Sequence, residues 1–427
     1  MMARHYPFKS WWKRWLAGCF DAVGRILFFP WRLHRKPLDL ATVKRILVIR
    51  LDHIGDVVMS RPAIRALHKK FPHAAIDLLV TEDIAPLFGN SKEIRAVIAA
   101  KHGWFMRKAS FAQKFSEFWR LLSILKSDGR RHCEEPREGD VAISDDKSKI
   151  ASLPARNDKK AKGFHDTYDL GIDLRGDLRN ILLMSLAGIQ HTIGYGTTGG
   201  GFLLTEEIPY DTIQHQVRLN LNLLRSFHVA QDNKLLPFEY SPERAQEFWK
   251  KIETLPPTTL LPRIAIHMGS GYPAKRWPLE NFKALIQKID REALAQIVLI
   301  GTEAEKNAAP DLKLSSERLI DLRGKTQLRD LPVLLDVCDI FIGNDSGPVH
   351  IAAAQGLEIL LIASGTNDIR LWHPWTERLS LLHREVPCSP CGQEICPVEG
   401  HPCVEQITVD QAFDALLSVL GRLQKRS

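Results

Sequence analysis

The chain has 427 residues, of which 44% are hydrophobic and 25% are charged. This composition is typical of a globular protein with two or three domains of ~100–200 residues, and no apolar run reaches the ~18–20 residues that a membrane span requires. The net charge of +8 is concentrated in residues 1–36, which hold eight Lys or Arg and one acid, Asp21, whereas the rest has 50 basic and 49 acidic residues. Residues 37–427 are therefore nearly neutral overall, which does not favour binding along a phosphodiester backbone, and we expect no nucleic-acid partner.

Residues 1–40 predict a basic amphipathic arm. Its apolar residues recur at helical spacing: Trp12, Trp15, Leu16, Cys19, Val23, Ile26 and Leu27. Basic side chains mostly fall on the other side, a pattern typical of a helix on an anionic membrane surface, so residues 1–36 predict such a contact. The alternative is a helix packed on the body of the protein. A secretory signal is disfavoured, because Asp21 and Arg25 interrupt the apolar region.

Residues 44–234 alternate strand-like and helix-like segments and predict an N-terminal α/β domain. The strand-like runs are "RILVIRL", "AAIDLLVT", "IRAVIAA", "YDLGIDLRG" and "HTIGYG". Helical periodicity covers Arg61 to Phe71, Phe111 to Leu125, a segment from about Arg179, and Gln216 to Phe227. Strands alternating with helices indicate a parallel sheet with helices on both faces.

Residues 127–163 interrupt this domain. The segment has 17 charged residues among 37 and neither helical nor strand periodicity. It cannot bury enough apolar surface to order itself, so we interpret it as a disordered surface insertion, with a regulatory loop as the alternative.

Residues 235–262 are rich in Pro and Glu and predict an interdomain linker with a short helix around Pro242 to Ile252. The alternation then restarts over residues 263–427. Strand-like runs are "RIAIHMGSG", "AQIVLIGT", "RLIDLRG", "IFIGND" and "EILLIAS", and the principal helices are predicted at Pro278 to Ile289, Leu328 to Val337 and Val409 to Leu423. Two facing doubly wound, Rossmann-like domains would leave a ligand cleft between the carboxyl ends of their strands.

Three polar turns follow predicted strands and carry the functional prediction. The first, "RLDHIGDVV", holds Asp52, His53, Gly55 and Asp56, where Gly55 permits a tight turn and the helix dipole stabilises the Asp56 charge. Read alone, Asp52 or Asp56 could equally be a helix N-cap.

The second turn, "HMGSGYPAKRWPLENF", places Gly269, Ser270 and Gly271 beside Lys275 and Arg276. Free backbone amides next to positive charge suit a diphosphate. Neither a Walker lysine pattern nor a strand-linked GxGxxG is present, so nucleotide hydrolysis and hydride transfer lack their usual signatures. Pro278 is expected at the first position of the next helix.

The third turn, "GNDSGPVHIAAAQG", contains Asp345, Ser346, Gly347 and His350. Asp345 or Ser346 could cap the helix that follows, which would explain one polar residue. A helix that starts with free amides and carries His350 one turn on would provide a second phosphate site, while a buried core histidine is the simpler reading of His350.

Taken together, these three ordered motifs resemble the bacterial lipopolysaccharide heptosyltransferase family, glycosyltransferase family 9, from about Lys44 onward. The resemblance implies a GT-B fold, with an acceptor domain followed by a nucleotide-sugar donor domain, and no cofactor or catalytic metal. It implies that Asp56 is the general base of an inverting displacement and that Lys275 neutralises the leaving diphosphate.

The resemblance further assigns a set of donor-binding residues: Ser270, Gly271, Lys275, Glu303 or Glu305, Asp345, Ser346, Gly347 and His350. Asp345 would lie near the sugar, and one of the two glutamates would hold the nucleotide ribose. The acceptor side would be formed by Asp52, His53 and Gly55. Asp52 and His53 stand where the family often has small hydroxyl residues, so the acceptor contacts are expected to differ.

A cysteine-rich segment near the C-terminus contains Cys388, Cys391, Cys396 and Cys403 at C-x2-C-x4-C-x6-C spacing. This spacing could hold a structural metal or form disulfides, and free thiols in a compact loop are the favoured alternative.

From these features we expect a heptose to be moved from a nucleotide sugar, ADP-heptose first, to a lipid-linked saccharide. The protein would be cytoplasmic and peripheral on the inner face of the bacterial inner membrane. The alternatives are a GT-B epimerase, a transferase for another envelope sugar, or a non-catalytic nucleotide-sugar-binding paralogue.

Overall fold

The computed structural model describes residues 11–28, 37–101, 110–127, 167–229, 232–252, 261–309 and 318–424. The insertion predicted at residues 127–163 lies outside the described residues, except for Ser127, which ends a helix. In the described part of the chain, no helix combines the length and hydropathy that a membrane crossing needs.

The N-terminal domain is a six-stranded parallel sheet of order β3-β2-β1-β4-β5-β6, preceded by helix α1 (Trp11–Leu27). Its strands are β1 (Arg45–Ile49), β2 (Ala75–Thr81), β3 (Ala96–Ala100), β4 (Leu170–Asp173), β5 (His191–Gly194) and β6 (Glu206–Glu207). Its helices are α2 (Ile54–Lys70), α3 (Phe111–Ser127), α4 (Leu178–Leu186) and α5 (Gln216–Asn222). Short 3-10 turns occupy Leu40–Thr42, Ala85–Phe88, Gly201–Leu203 and Arg225–Phe227.

Helix α6 (Pro242–Ile252) lies in the connecting segment, and the C-terminal domain follows with sheet order β12-β11-β10-β7-β8-β9. Its strands are β7 (Arg263–His267), β8 (Gln296–Ile300), β9 (Leu319–Asp321), β10 (Ile340–Asn344), β11 (Glu358–Ala363) and β12 (Leu379–His383). Its helices are α7 (Leu279–Arg291), α8 (Glu303–Ala308), α9 (Leu331–Leu335), α10 (Gly347–Ala354), α11 (Ile369–Trp372), α12 (Pro402–Glu405) and α13 (Val409–Gln424). Two 3-10 turns cover Pro273–Lys275 and Leu328–Asp330.

Both sheets share one winding. Counted from the first strand of each domain, the spatial order is 3-2-1-4-5-6, which confirms the prediction of two doubly wound domains and gives the α/β GT-B architecture. The central strands are apolar on both sides, as Leu47 and Val48 in β1 illustrate, because helices cover both faces of each sheet. The strand order reverses between β1 and β4 and between β7 and β10, so a crevice opens at their carboxyl ends.

Several boundaries differ from the prediction. The helix predicted from Gln216 to Phe227 ends at Asn222 and gives way to a 3-10 turn, and the one predicted from Leu328 begins as a 3-10 turn. Pro278 is the N-cap residue of α7 and not its first helical residue. Strands β6 and β12 were not predicted, because one is two residues long and the other is a partly exposed edge strand with a weak apolar signal.

Candidate functional site

The three polar turns converge because each follows a strand that flanks a reversal point, β1, β7 or β10. Helices α2 and α10 meet close to their first turns. A Cβ added to Gly55 would lie 2.6 Å from Cδ2 of His350, and a Cβ added to Gly347 would lie 2.7 Å from Cβ of Ile54. The first and third polar turns are therefore in direct contact across the two domains.

Asp56 is buried in the first turn of α2. Its Oδ1 accepts a hydrogen bond from Nη2 of the buried Arg50 at 3.0 Å, and Arg50 also donates to the carbonyl of Leu174. Burial and the negative charge of Asp52 raise the pKa of Asp56 to about 7, although Arg50 and Arg175 oppose the shift. A carboxyl group with such a pKa can accept a proton near neutrality.

Asp52 and His53 do not act as helix caps. His53 is exposed and occupies the N-cap position of α2 without a side-chain cap bond, and Asp52 accepts a hydrogen bond from the His53 amide at 3.1 Å. Nη1 of Arg175 lies 3.8 Å from the Asp52 carboxylate. The simpler alternative, in which Asp52 or Asp56 is an N-cap, is therefore wrong.

Asp345 is the centre of the contacts at the third polar turn. Its Oδ2 accepts from Nζ of Lys275 at 2.7 Å and from Nδ2 of Asn367 at 3.0 Å. Asp345 is only 6% exposed, so this pairing compensates for the desolvation of its charge. Lys275 ends the 3-10 turn Pro273–Lys275 and thereby presents one positive charge at the reversal point.

The glycine-rich turn at residues 269–271 is hydrogen-bonded to Asp345. Ser270 is buried and donates from Oγ to the Asp345 carbonyl at 3.2 Å, while Arg276 turns back to the Ser270 carbonyl. A Cβ on Gly271 would meet no described atom within 4 Å, so open space lies beside this backbone. Asn344 has a structural role, because it accepts from the Trp277 amide at 2.9 Å and donates to the Met268 carbonyl at 2.8 Å.

The start of α10 differs from the expectation that Asp345 or Ser346 caps it. Ser346 holds the N-cap position, but its hydroxyl donates to the Asn344 carbonyl and lies 3.2 Å from Nδ1 of His267. Because neither side chain caps the helix, its first amides are left for another acceptor. Burial lowers the pKa of His350 to about 4, and its Nδ1 has no hydrogen-bond partner within the described ranges.

The two candidate glutamates have different surroundings. Glu305 closes a capping box with Thr302, and its Oε1 lies 3.6 Å from Nε2 of His267. Gly269 makes room for that carboxylate, since a Cβ there would lie 1.4 Å from Oε1. Glu303 is exposed, with Lys306 at 3.7 Å, and is the glutamate that remains accessible to a ligand.

The cysteine-rich segment is hydrogen-bonded to the loops that carry Lys275 and Asn367. Cys388, Cys391, Cys396 and Cys403 are all free thiols, and no group of metal-ligating side chains is arranged to hold an ion among the described residues. The Ala274 amide donates to the Glu394 carbonyl at 3.0 Å, and Nε2 of His401 lies 3.0 Å from the Ala274 carbonyl. The amides of Cys391 and Gly392 donate to the carbonyls of Gly365 and Thr366, so the segment supports the loops of both Lys275 and Asn367.

Four site residues were missed from the sequence: Arg50, Arg175, Asn367 and His215. Asn367 could have been found, because it follows β11, the neighbour of β10, in the polar run "SGTND". His215 joins the domains through Nε2, which lies 2.9 Å from the His373 carbonyl, and burial lowers its pKa to about 3. The sequence offers no signal for this contact, since 158 residues separate the two histidines.

Comparisons with known proteins agree with the fold. The model of glycosyltransferase family 9 (heptosyltransferase) matches residues 161–401. Lipopolysaccharide heptosyltransferase 3 of Escherichia coli is 23% identical over 356 residues, covering 78% of this chain and 88% of that protein. The structure of E. coli ADP-heptose lps heptosyltransferase II superposes with a TM-score of 0.65 at 20% identity, over 90% of this chain and all of that one. A glycosyl transferase family 9 structure from Veillonella parvula gives a TM-score of 0.67 at 20% identity, over 91% of this chain and 100% of that one.

Proposed function

Because the chain belongs to glycosyltransferase family 9 and is therefore a glycosyltransferase, we propose that it is an inverting heptosyltransferase of lipopolysaccharide core synthesis. The donor is ADP-heptose and the acceptor is a lipid-linked core saccharide. One observation carries the proposal: buried Asp56 lies on the helix whose Gly55 touches His350 of the donor-side helix.

In this proposal Asp56 is the general base. It removes the proton of the acceptor hydroxyl while that oxygen attacks the anomeric carbon, and the bond to the diphosphate breaks in the same displacement. Arg50 holds the carboxylate in place, and burial together with the negative charge of Asp52 keeps the pKa of Asp56 high. A single displacement inverts the anomeric configuration.

The leaving diphosphate gains negative charge as the bond breaks. Lys275, the uncapped amides at the start of α10 and the unpartnered ring nitrogen of His350 would receive it. Ser270 and Gly271 shape the backbone beside the same anion. These groups supply the charge compensation, so the proposal routes no step through a metal ion.

We assign the remainder of the donor to two carboxylates. Asp345, held by Lys275 and Asn367, faces the transferred sugar, and Glu303 holds the ribose. The acceptor enters past Asp52 and His53. Residues 1–36 hold the enzyme on the cytoplasmic face of the inner membrane, where lipid-linked acceptors lie.

The test combines donor binding and turnover. Thermal shifts are measured for a panel of nucleotide sugars, followed by transfer to lipid A–core acceptors of different length. ADP-heptose is expected to give the largest shift, and Asp56→Ala to abolish transfer while leaving that shift intact. Normal transfer by Asp56→Ala would refute the base assignment, and failure of every donor to bind would refute the enzyme assignment.

A further inference from the structure

Helix α1 contacts the body of the protein mainly through small and polar residues, with the ring of Phe20 at the edge of the contact, 5.3 Å from the ring of Phe202. Asp21 is buried, and its Oδ1 accepts a hydrogen bond from the Gly200 amide at 2.7 Å. Gly24 lies against the ring of Phe202, and Arg25 pairs with Glu207. This is the reverse of an ordinary amphipathic surface helix, which turns its bulky apolar side toward the core.

The bulky side of α1 therefore faces away from the protein. Trp15 is 63% exposed and Ile26 is 75% exposed. The other large hydrophobic side chains that α1 leaves exposed are Trp11, Trp12, Leu16, Phe20, Val23 and Leu27. A contiguous exposed patch of this size marks an interaction site.

Helix α3 carries a second apolar row. It buries Leu121, Leu122 and Leu125 in the N-terminal core. Phe111, Phe115 and Trp119 remain exposed, and their rings form a row with centroids 6.1 Å and 5.9 Å apart. Their spacing of four residues keeps them on one side of the helix.

The two helices lie on the same side of the sheet. Helix α1 packs on the turn Gly201–Leu203, that turn packs on α4, and α4 packs on α3. Side chains of α3, α4 and the turn share one core layer. Between the two rows, α4 adds the half-exposed Leu186. We call the outward sides of α1, α4 and α3 the aromatic face.

We propose that the aromatic face docks on the surface of an anionic lipid bilayer, with α3 contributing as directly as α1. Charge complementarity identifies this occupant, because α1 carries Lys13, Arg14 and Arg25 against the buried Asp21, and the sequence on either side of it, within residues 1–36, adds five basic residues and no acid. Trp and Phe beside basic residues are the composition of helices that lie in the headgroup region. Lys114 and Lys126 of α3 add positive charge on the second row.

The placement of α4 connects this face to the acceptor side. The inference rests on the proposed function, because it extends the membrane contact of residues 1–36 to α3. Helix α4 is capped by Asp177, and the neighbouring Arg175 reaches Asp52 on the acceptor side. Helix α4 therefore spans from the acceptor side at its first turn to the aromatic face at Leu186, its last residue. A lipid-linked acceptor can keep its anchor in the bilayer while its sugar reaches Asp56.

The experiment is flotation of the full chain with vesicles of phosphatidylcholine, with or without phosphatidylglycerol. The wild type is expected to float with the anionic vesicles and to lose binding as salt rises. Replacing Phe111, Phe115 and Trp119 together by Ser should lower the partition coefficient at least about tenfold, because each ring loses apolar burial in the bilayer. Trp15→Ser with Ile26→Ser should do the same.

A matched control replaces two exposed apolar residues of the C-terminal domain, Leu381 and Leu417, by Ser. It should float like the wild type. Melting temperatures of all variants show that the fold is retained, and donor binding, measured without vesicles, reports separately on the proposed function. The proposal would be overturned if the α3 variant bound vesicles with wild-type affinity, or if the control lost as much binding. It would also be overturned if the protein bound no vesicles and instead formed a dimer that the α3 substitutions dissociate.

Discussion

Gly55→Ala tests the contact on which the site depends. In an unobstructed helix this substitution stabilises by about 1 kcal/mol, because Ala has the higher helix propensity. Here the new Cβ would lie 2.6 Å from Cδ2 and 2.8 Å from Nε2 of His350, whereas carbon atoms pack at about 3.5–4.0 Å. His350 is only 4% exposed, so its ring must retreat by about 1 Å into occupied space or α2 and α10 must separate.

Overpacking of this kind costs about 1–3 kcal/mol. If α2 and α10 separate to absorb that cost, the arrangement in which the two helices touch becomes about 5–150 times less populated. We therefore expect kcat/KM with ADP-heptose and a core acceptor to fall by a factor in that range. Steady-state turnover measures the effect, and the melting temperature is recorded alongside it.

Gly421→Ala is the control, because Gly421 lies in α13 and a Cβ there would meet no described atom within 4 Å. It should raise stability slightly and leave turnover unchanged. A double-mutant cycle with His350→Ala identifies the cause, since without the ring Gly55→Ala should cost less than about 0.5 kcal/mol of stability. Wild-type kcat/KM and stability of Gly55→Ala, or an equal cost in the His350→Ala background, would refute the inferred contact.

Three further predictions concern charge and support. Asp56 must be ionised to act as a base and its pKa is raised to about 7, so kcat/KM should rise with pH and level off above about 7. Asp52→Asn removes a negative neighbour and should move this rising limb of the pH profile to lower pH. A limb that stays in place would contradict the assignment of Asp56 as the base. Lys275→Met should weaken ADP-heptose binding about 10–150-fold in calorimetry, because a charge-assisted hydrogen bond contributes about 1.5–3 kcal/mol. Asp345→Asn is the matched variant, which removes the negative charge of the carboxylate that pairs with Lys275. His401→Ala removes the hydrogen bond to the Ala274 carbonyl, just before Lys275, and should raise the donor KM severalfold with little change in kcat. A fall in kcat as large as the rise in KM would indicate another role for His401.

The local pattern of the sequence was sufficient for the two-domain α/β plan, although it missed the edge strands β6 and β12. Apolar runs of strand length alternating with helical periods specified two doubly wound domains, since burial on both faces of a parallel sheet requires continuous apolar strands. Polar residues directly after β1, β7 and β10 marked the site, because the carboxyl ends of those strands meet where the winding reverses. The amphipathic period of α1 was also visible from the sequence.

Tertiary structure decided which partners these residues have. The sequence left Asp56 and Ser346 as possible helix caps, but Arg50 engages the first and a carbonyl and a histidine ring engage the second. The contact between Gly55 and His350 joins residues almost three hundred positions apart. Such contacts depend on strand order and on the packing of whole domains, which no local period encodes. The same holds for α1. Periodicity showed that the helix has an apolar side, and the packing of Gly24 on Phe202 together with the Asp21–Gly200 hydrogen bond turned most of that side outward.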